Sequence, residues 1–219
     1  MEHPILITGA SRSGASMISA ALNACGAFGG DMSKRGMYSN DRIREEIVKE
    51  YFDWMQVDPE GQFPLPLTKD LFIPMDWKSK IMGILESQGY TDGPWMYKDS
   101  RSCLTWPLWN HSFPDAKWVI VRRRTGDIVE SCMKTGYMSG YSTKEGWIQW
   151  VREHENRFIE MMTEGLNCKI IWPERMVHGD YKQLYELCEW LGLPWNKEAL
   201  TFIEPLLWGG KQKKGAYNG

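Results

Sequence analysis

The sequence predicts an α/β fold in three layers, a central, mainly parallel sheet flanked by helices. Three observations carry this expectation. Short apolar runs alternate with segments of helical periodicity along the chain. The first run passes through a glycine-bounded loop into a helix-forming stretch. The 219 residues, 42% hydrophobic and 25% charged, suffice for one domain with a full core.

Taken in order, Ile5-Leu6-Ile7-Thr8 reads as a strand buried on both faces, and Gly14 to Cys25 as a helix. A short extended piece at Ala27-Phe28 ends in Gly29-Gly30-Asp31. Ser39-Asn40-Asp41 is an N-cap cluster, and Ile43, Ile47, Val48 and Phe52 recur after it at helical spacing. Residues 56–67, with Pro59, Pro64 and Pro66, read as a loop, and Asp76 to Gln88 as a second amphipathic helix. Residues 32–93 thus read as a helical insertion with a mobile loop, suited to form a lid over an acceptor pocket.

The sheet pattern returns at Trp95 to Asp99, with helix-like sequence over Arg101 to His111. Lys117 to Arg123 is the clearest internal strand, and Thr125-Gly126-Asp127 opens the next helix. A long helix is expected from Thr143 to Glu164, a strand at Lys169 to Trp172, and a helix from Tyr181 to Leu191 stopped by Gly192 and Pro194. The aromatics from Trp147 to Trp150 read as packing on the long helix.

A net charge of −2 leaves no global positive field for duplex nucleic acid, so no nucleic-acid partner is expected. The five cysteines are odd in number and lack metal-ligand spacing, which fits reduced thiols in a cytoplasmic protein and no metal site. The first strand follows Met1 almost at once, leaving no room for a signal peptide. No apolar run reaches membrane-spanning length, so no membrane partner is expected.

Three clusters carry chemistry. Ser11, Arg12, Ser13, Gly14, Ala15 and Ser16 form a loop whose backbone N–H groups, with the positive end of the next helix, suit a 5′-phosphate. Gly9 and Gly14 keep the spacing of a nucleotide P-loop, but Ala15 stands where its lysine would be; the loop's cation is Arg12. Arg123 at a strand end and Ser131 two turns into the next helix can converge on a second anion. Lys213, Lys214 and Gly215 in the basic tail supply a third cationic element. Two phosphate positions, a loop cation and no P-loop lysine describe a donor such as 3′-phosphoadenosine 5′-phosphosulfate (PAPS).

On these residues the chain resembles the sulfotransferase family. Arg12-Ser13-Gly14-Ala15-Ser16 is similar to its Arg/Lys-Ser-Gly-Thr-Thr loop for the 5′-phosphosulfate. Arg123-x-x-x-Asp127-x-x-x-Ser131 matches its 3′-phosphate signature. Lys98-Asp99-Ser100-Arg101 resembles the Lys-Asp-Pro-Arg segment of bacterial members, and residues 187–195 resemble their Leu-Cys-x-Phe-Leu-Gly-Leu-Pro-Trp helix end. Lys213-Lys214-Gly215 resembles the Arg-Lys-Gly element that closes on the 3′-phosphate. The resemblance covers residues 4–31 and 95–215; the stretch between matches little. Ala15 departs from the loop's threonine, and Pro173 falls where many members carry an adenine-contacting tyrosine, leaving Trp172 as a candidate ring.

The resemblance implies sulfuryl transfer from PAPS to a hydroxyl or amine of a small-molecule or sugar acceptor, without a metal. Arg12 is the candidate that stabilises the departing oxygen. Asp31 is the first candidate base and Asp99 the second; both aspartates would need an environment that raises their pKa. A P-loop small-molecule kinase and a non-catalytic nucleotide-binding protein of the same fold remain as alternatives. The aromatics of the insertion permit a ring-bearing acceptor, and Lys34, Arg35 and Arg42 an anionic one.

Overall fold

The computed structural model describes residues 3–33 and 37–203. Four strands, β1 (His3–Thr8), β2 (Pro94–Lys98), β3 (Lys117–Val121) and β4 (Cys168–Ile171), form a sheet of order β2-β1-β3-β4. Every pairing is parallel; Ile5 sits opposite Met96 on one side and Lys117 on the other, and Ile120 opposite Ile170. A parallel sheet covered on both faces needs continuous apolar strands rather than alternating ones, which is what Ile5-Leu6-Ile7 and Trp118-Val119-Ile120-Val121 supply.

One face carries Ile5, Ile7, Val119 and Val121 against α1 (Ala15–Ala24), α8 (Pro173–Met176) and α9 (Lys182–Leu191), through Ile18, Leu22, Met176, Leu184 and Leu187. The other carries Leu6, Trp95, Tyr97, Trp118 and Ile120. Against it pack α2 (Asp41–Ile43), α3 (Glu50–Trp54), α4 (Trp77–Ser87), α5 (Trp106–Ser112) and one end of α7 (Lys144–Thr163). Helix α6 (Thr125–Met133) joins α7 in a third cluster around Trp147 and Trp150, both fully buried. Burying one large apolar side chain contributes about 1.5–3 kcal/mol, so these faces supply most of the driving force.

Helices α2 and α3 are continuous through a π-helical turn, Arg44–Lys49, and Asn40 caps the start by accepting from Ile43 N–H at 3.2 Å. Thr143 caps α7 in the same way through Gly146 N–H. The insertion is therefore not peripheral: Ile43, Val48, Phe52, Trp77 and Leu85 build half of one core face. Its proline-rich loop is tied down. Asp58 accepts from the N–H groups of Glu60, Gln62 and Phe63. Trp150 Nε1 donates to the Gly61 carbonyl, and Arg157 to that of Pro66.

Several local expectations shift. Phe28 makes only a single bridge to Trp95 instead of a strand. The segment after β2 divides into a 3₁₀ turn, Ser100–Cys103, and α5, because Pro107 starts a helix well but cannot continue one. Strand β3 stops at Val121, which places Arg122 and Arg123 in the loop that follows.

Among the described residues no helix is long and apolar enough to cross a membrane.

Candidate functional site

The loop after β1 leads to α1 on one face, whereas the segments after β2 and β3 lead to helices on the other. Such a divergence opens a crevice at the carboxyl ends of the strands. A cavity of about 540 Å³ lies there, lined at one end by residues 9–17 and Arg123 and at the other by residues of the insertion.

The loop is built to bring backbone close to a ligand. A Cβ on Gly9 would lie 2.4 Å from the Val121 carbonyl oxygen and 2.6 Å from Ser13 Oγ, so only glycine fits between β1 and β3. Arg12 and Gly14 take left-handed conformations, with φ of 73° and 98°. The Ser13 N–H bonds the Ala10 carbonyl, closing the turn. Ala15 and Ser16 open α1, where N–H groups have no intrahelical acceptor. Among the described residues the buried Ser13 hydroxyl has no hydrogen-bond partner. An orphaned hydroxyl, a glycine-only approach and a helix N-terminus fit an anionic group such as a phosphosulfate.

Side chains from several other elements converge on this loop. Arg12 Nε donates to Ser131 Oγ on α6 at 2.8 Å, and its Nη1 lies 3.5 Å from the Tyr137 hydroxyl. Arg123 Nη1 donates to the Arg12 carbonyl at 3.1 Å, and its Nε lies 3.9 Å from Asp127. Burial lowers the Arg123 pKa, and Asp127 opposes that shift. Ser11 Oγ donates to Ser100 Oγ at 3.0 Å, and Lys98 Nζ to Ser16 Oγ at 3.4 Å. Lys98 is buried at the end of β2; burial lowers its pKa to about 8 against the opposing pull of Asp99.

The two carboxylates expected as bases separate. Asp31 is exposed, its N–H bonded to Gln88, and it does not line the cavity; the turn at Gly30 carries it away from the crevice. Asp99 lines the cavity but is held by Arg101 through two charged contacts, at 2.9 and 2.7 Å, and by the Tyr97 hydroxyl at 2.8 Å. Burial pushes its pKa up, yet Arg101 outweighs burial and brings it down to about 2. Arg101 in turn bonds the Pro59 carbonyl, so the pair anchors the proline-rich loop. Asp31 thus stands outside the cavity, and Asp99 inside it in a buried ion pair.

The Trp172 ring lies under Arg122, 5.0 Å from the guanidinium carbon, and does not line the cavity. Lys213, Lys214 and Gly215 lie outside the described residues, as do Lys34 and Arg35.

The far end of the cavity holds groups that no sequence motif marked. Arg44, Glu45 and Lys49 come from the π-helical turn, and Glu60 and Gln62 from the proline-rich loop; Tyr137, from the segment after α6, lies between the two ends, its hydroxyl at Arg12 and its carbonyl at Gln62. Their i,i+4 spacing and loop position resemble any solvated surface, so no local signal distinguished them. Gln62 joins the two loops that bound this end. Its Nε2 donates to the Tyr137 carbonyl at 2.9 Å, and its Oε1 accepts from Ser139 and Gly140 N–H at 2.8 and 2.7 Å.

The chain matches the family model described as "Sulfotransferase family" over residues 4–197. No curated protein matches it. Among solved structures it is similar to the sulfotransferase domain of the Synechococcus PCC 7002 olefin synthase. That match has a TM-score of 0.56 at 16% identity and covers 99% of this chain and 91% of the other. It is also similar to sulfotransferase STF9 from Mycobacterium avium, with a TM-score of 0.56 at 15% identity, covering 99% of this chain and 70% of that one. Sulfotransferase STF1 from Mycobacterium tuberculosis H37Rv follows, with a TM-score of 0.52 at 14% identity over 93% and 71%. At these identities the likeness establishes the fold.

Proposed function

This chain belongs to the sulfotransferase family, and on that premise we propose that it moves a sulfuryl group from PAPS to a hydroxyl or amine of a small acceptor. The observation that carries the donor assignment is the joining of Arg12, Arg123 and Ser131: Arg12 and Arg123 line the cavity, Arg123 bonds the Arg12 main chain, and Arg12 bonds Ser131. Two guanidinium groups and a hydroxyl held this close suit a ligand with phosphate at both ends of one nucleoside.

In this reading the N–H groups of residues 14–16 hold the 5′-phosphosulfate, and Arg123 with Ser131 holds the 3′-phosphate. Bound PAPS supplies an activated sulfuryl group whose transfer leaves negative charge on the bridging oxygen. Arg12 is within reach of the loop and supplies a cation where that charge grows, which favours the transition state over the ground state. Lys98 adds a second cation beside Ser16. Ala15 costs the loop one hydroxyl donor but leaves the backbone cradle intact.

The insertion bounds the acceptor end. Asp99 serves there as the counter-ion that fixes Arg101. The five cysteines, all thiols, suit a reducing compartment such as the cytoplasm.

Isothermal titration with adenosine 3′,5′-bisphosphate and with Mg-ATP tests the donor. Tight binding of the bisphosphate is expected; binding of Mg-ATP with none of the bisphosphate would favour a kinase. Transfer of labelled sulfate from PAPS to an acceptor panel separates an enzyme from a nucleotide-binding protein of the same fold.

A further inference from the structure

The acceptor end of the cavity is walled by a chain of alternating charges. Arg44 reaches Asp41 at 2.7 Å and Glu45 at 2.8 Å, Lys49 reaches Glu45 at 3.2 Å, and Lys49 also reaches Glu60 at 2.7 Å. Arg44, Glu45 and Lys49 lie in the π-helical turn, whose i→i+5 pattern brings residues four and five apart to one side, and Asp41 precedes it in α2. Arg44, Glu45 and Lys49 therefore share a face, and Glu60 meets it from the opposite loop. Among the insertion's aromatics Tyr38 lines the cavity, and the others do not. Tyr51, Phe52 and Trp77 are buried in the core, while Trp54, Phe63 and Phe72 are exposed away from this cavity.

We propose that the acceptor is a polyhydroxylated, sugar-like molecule whose neighbouring hydroxyls bridge Glu45, Lys49 and Glu60. This rests on the sulfuryl-transfer reading above and narrows it. A phenol ring or alkyl chain laid on this wall would strip water from its charges and return only the hydrogen bonds of a single hydroxyl, a costly exchange. Vicinal hydroxyls each donate and accept. They replace that water along the order carboxylate–ammonium–carboxylate without breaking the ion pairs. Tyr137, which lines the cavity and is 54% exposed, offers a ring for the apolar face of a pyranose.

The test is saturation-transfer NMR on the full chain with mono- and disaccharides, phenols and long-chain alcohols, repeated on Lys49→Met and Glu60→Gln. Adenosine 3′,5′-bisphosphate binding serves as the control for folding and for the donor site. Saccharides are expected to bind and the phenols and alkyl alcohols not to. Each variant should weaken the saccharide by about tenfold, the loss of one hydrogen bond to a charged group, while bisphosphate affinity stays within about twofold. With PAPS, kcat/KM for the best saccharide should exceed that for any phenol by about tenfold or more. Silence from every saccharide, a preference for phenols or alkyl alcohols, or saccharide binding untouched by both variants overturns the proposal. Failure of the bisphosphate to bind would instead sink the donor reading, and the saccharide arm would still decide what the wall recognises.

Discussion

Arg12 Nε and Ser131 Oγ lie 2.8 Å apart although 119 positions separate them in the chain. The contact joins the loop after β1 to the helix after β3, so the cation expected at the departing oxygen and the hydroxyl expected at the 3′-phosphate touch one another. Replacing Arg12 by Ala should lower kcat on the order of 100-fold or more, as the loss of one transition-state donor does elsewhere. Single-turnover sulfate transfer measures it, and a rate within threefold of wild type would remove Arg12 from the chemistry.

Arg123 should discriminate nucleotides by their 3′-phosphate. Arg123→Met should weaken adenosine 3′,5′-bisphosphate by about 1.5–3 kcal/mol, the range for a hydrogen bond to a charged group. Binding of adenosine 5′-monophosphate should change far less. Titration calorimetry with the two nucleotides measures the difference, and equal losses for both would place Arg123 elsewhere.

Lys98 makes donor binding sensitive to mild alkali. With its pKa lowered to about 8, it loses its charge as pH rises through that value, and a phosphate beside it would draw the proton back. Bisphosphate affinity should therefore fall above about pH 8, and binding near pH 8–9 should take up a proton. Calorimetry in two buffers of different ionisation enthalpy reads that uptake, and Lys98→Met should abolish it.

Acid stability should be set first by His154. This fully buried ring donates from Nδ1 to the Trp150 carbonyl at 2.9 Å, and burial lowers its pKa from 6.5 to about 4. The unfolded chain binds the proton first, so stability is lost as pH falls from 6.5 to about 4. The loss should total about 3 kcal/mol. Urea unfolding across that window should show the slope, and His154→Leu should flatten it. Asp99 adds a second loss only lower, as pH falls from 3.8 towards its folded value of about 2.

The Asp99–Arg101 pair should matter to folding more than to proton transfer. Asp99→Asn leaves the Arg101 guanidinium buried without its counter-ion and should cost about 3–5 kcal/mol. Denaturation midpoints measure this. A variant of wild-type stability whose pH–rate profile has lost a limb would restore Asp99 as a base.

Much of the frame was legible in the residues. The Ile5–Thr8 run, Gly9 and Gly14 mark a strand and a tight loop through local backbone preference, and Asn40 and Thr143 mark helix starts through side-chain capping. Arg123 and Ser131 were legible because eight positions span a strand end and two helical turns, a distance that local geometry fixes. Where Asp31 stands was not legible, because the same few residues are compatible with a turn towards the crevice or away from it. Gln62 was invisible, since its partners Tyr137, Ser139 and Gly140 lie more than 70 positions away.

The sequence by itself determined the α/β layering, the tight glycine-bounded loop after the first strand and the cations Arg12 and Arg123 near strand ends, because each follows from periodicity and backbone preference within a dozen residues. Tertiary structure alone decided that Arg12 meets Ser131, that Asp99 is committed to Arg101, and that a charged wall of Arg44, Glu45, Lys49 and Glu60 closes the cavity. Such convergences depend on how whole helices seat on the two faces of the sheet. That seating is fixed by packing among distant side chains, and short-range spacing does not encode it.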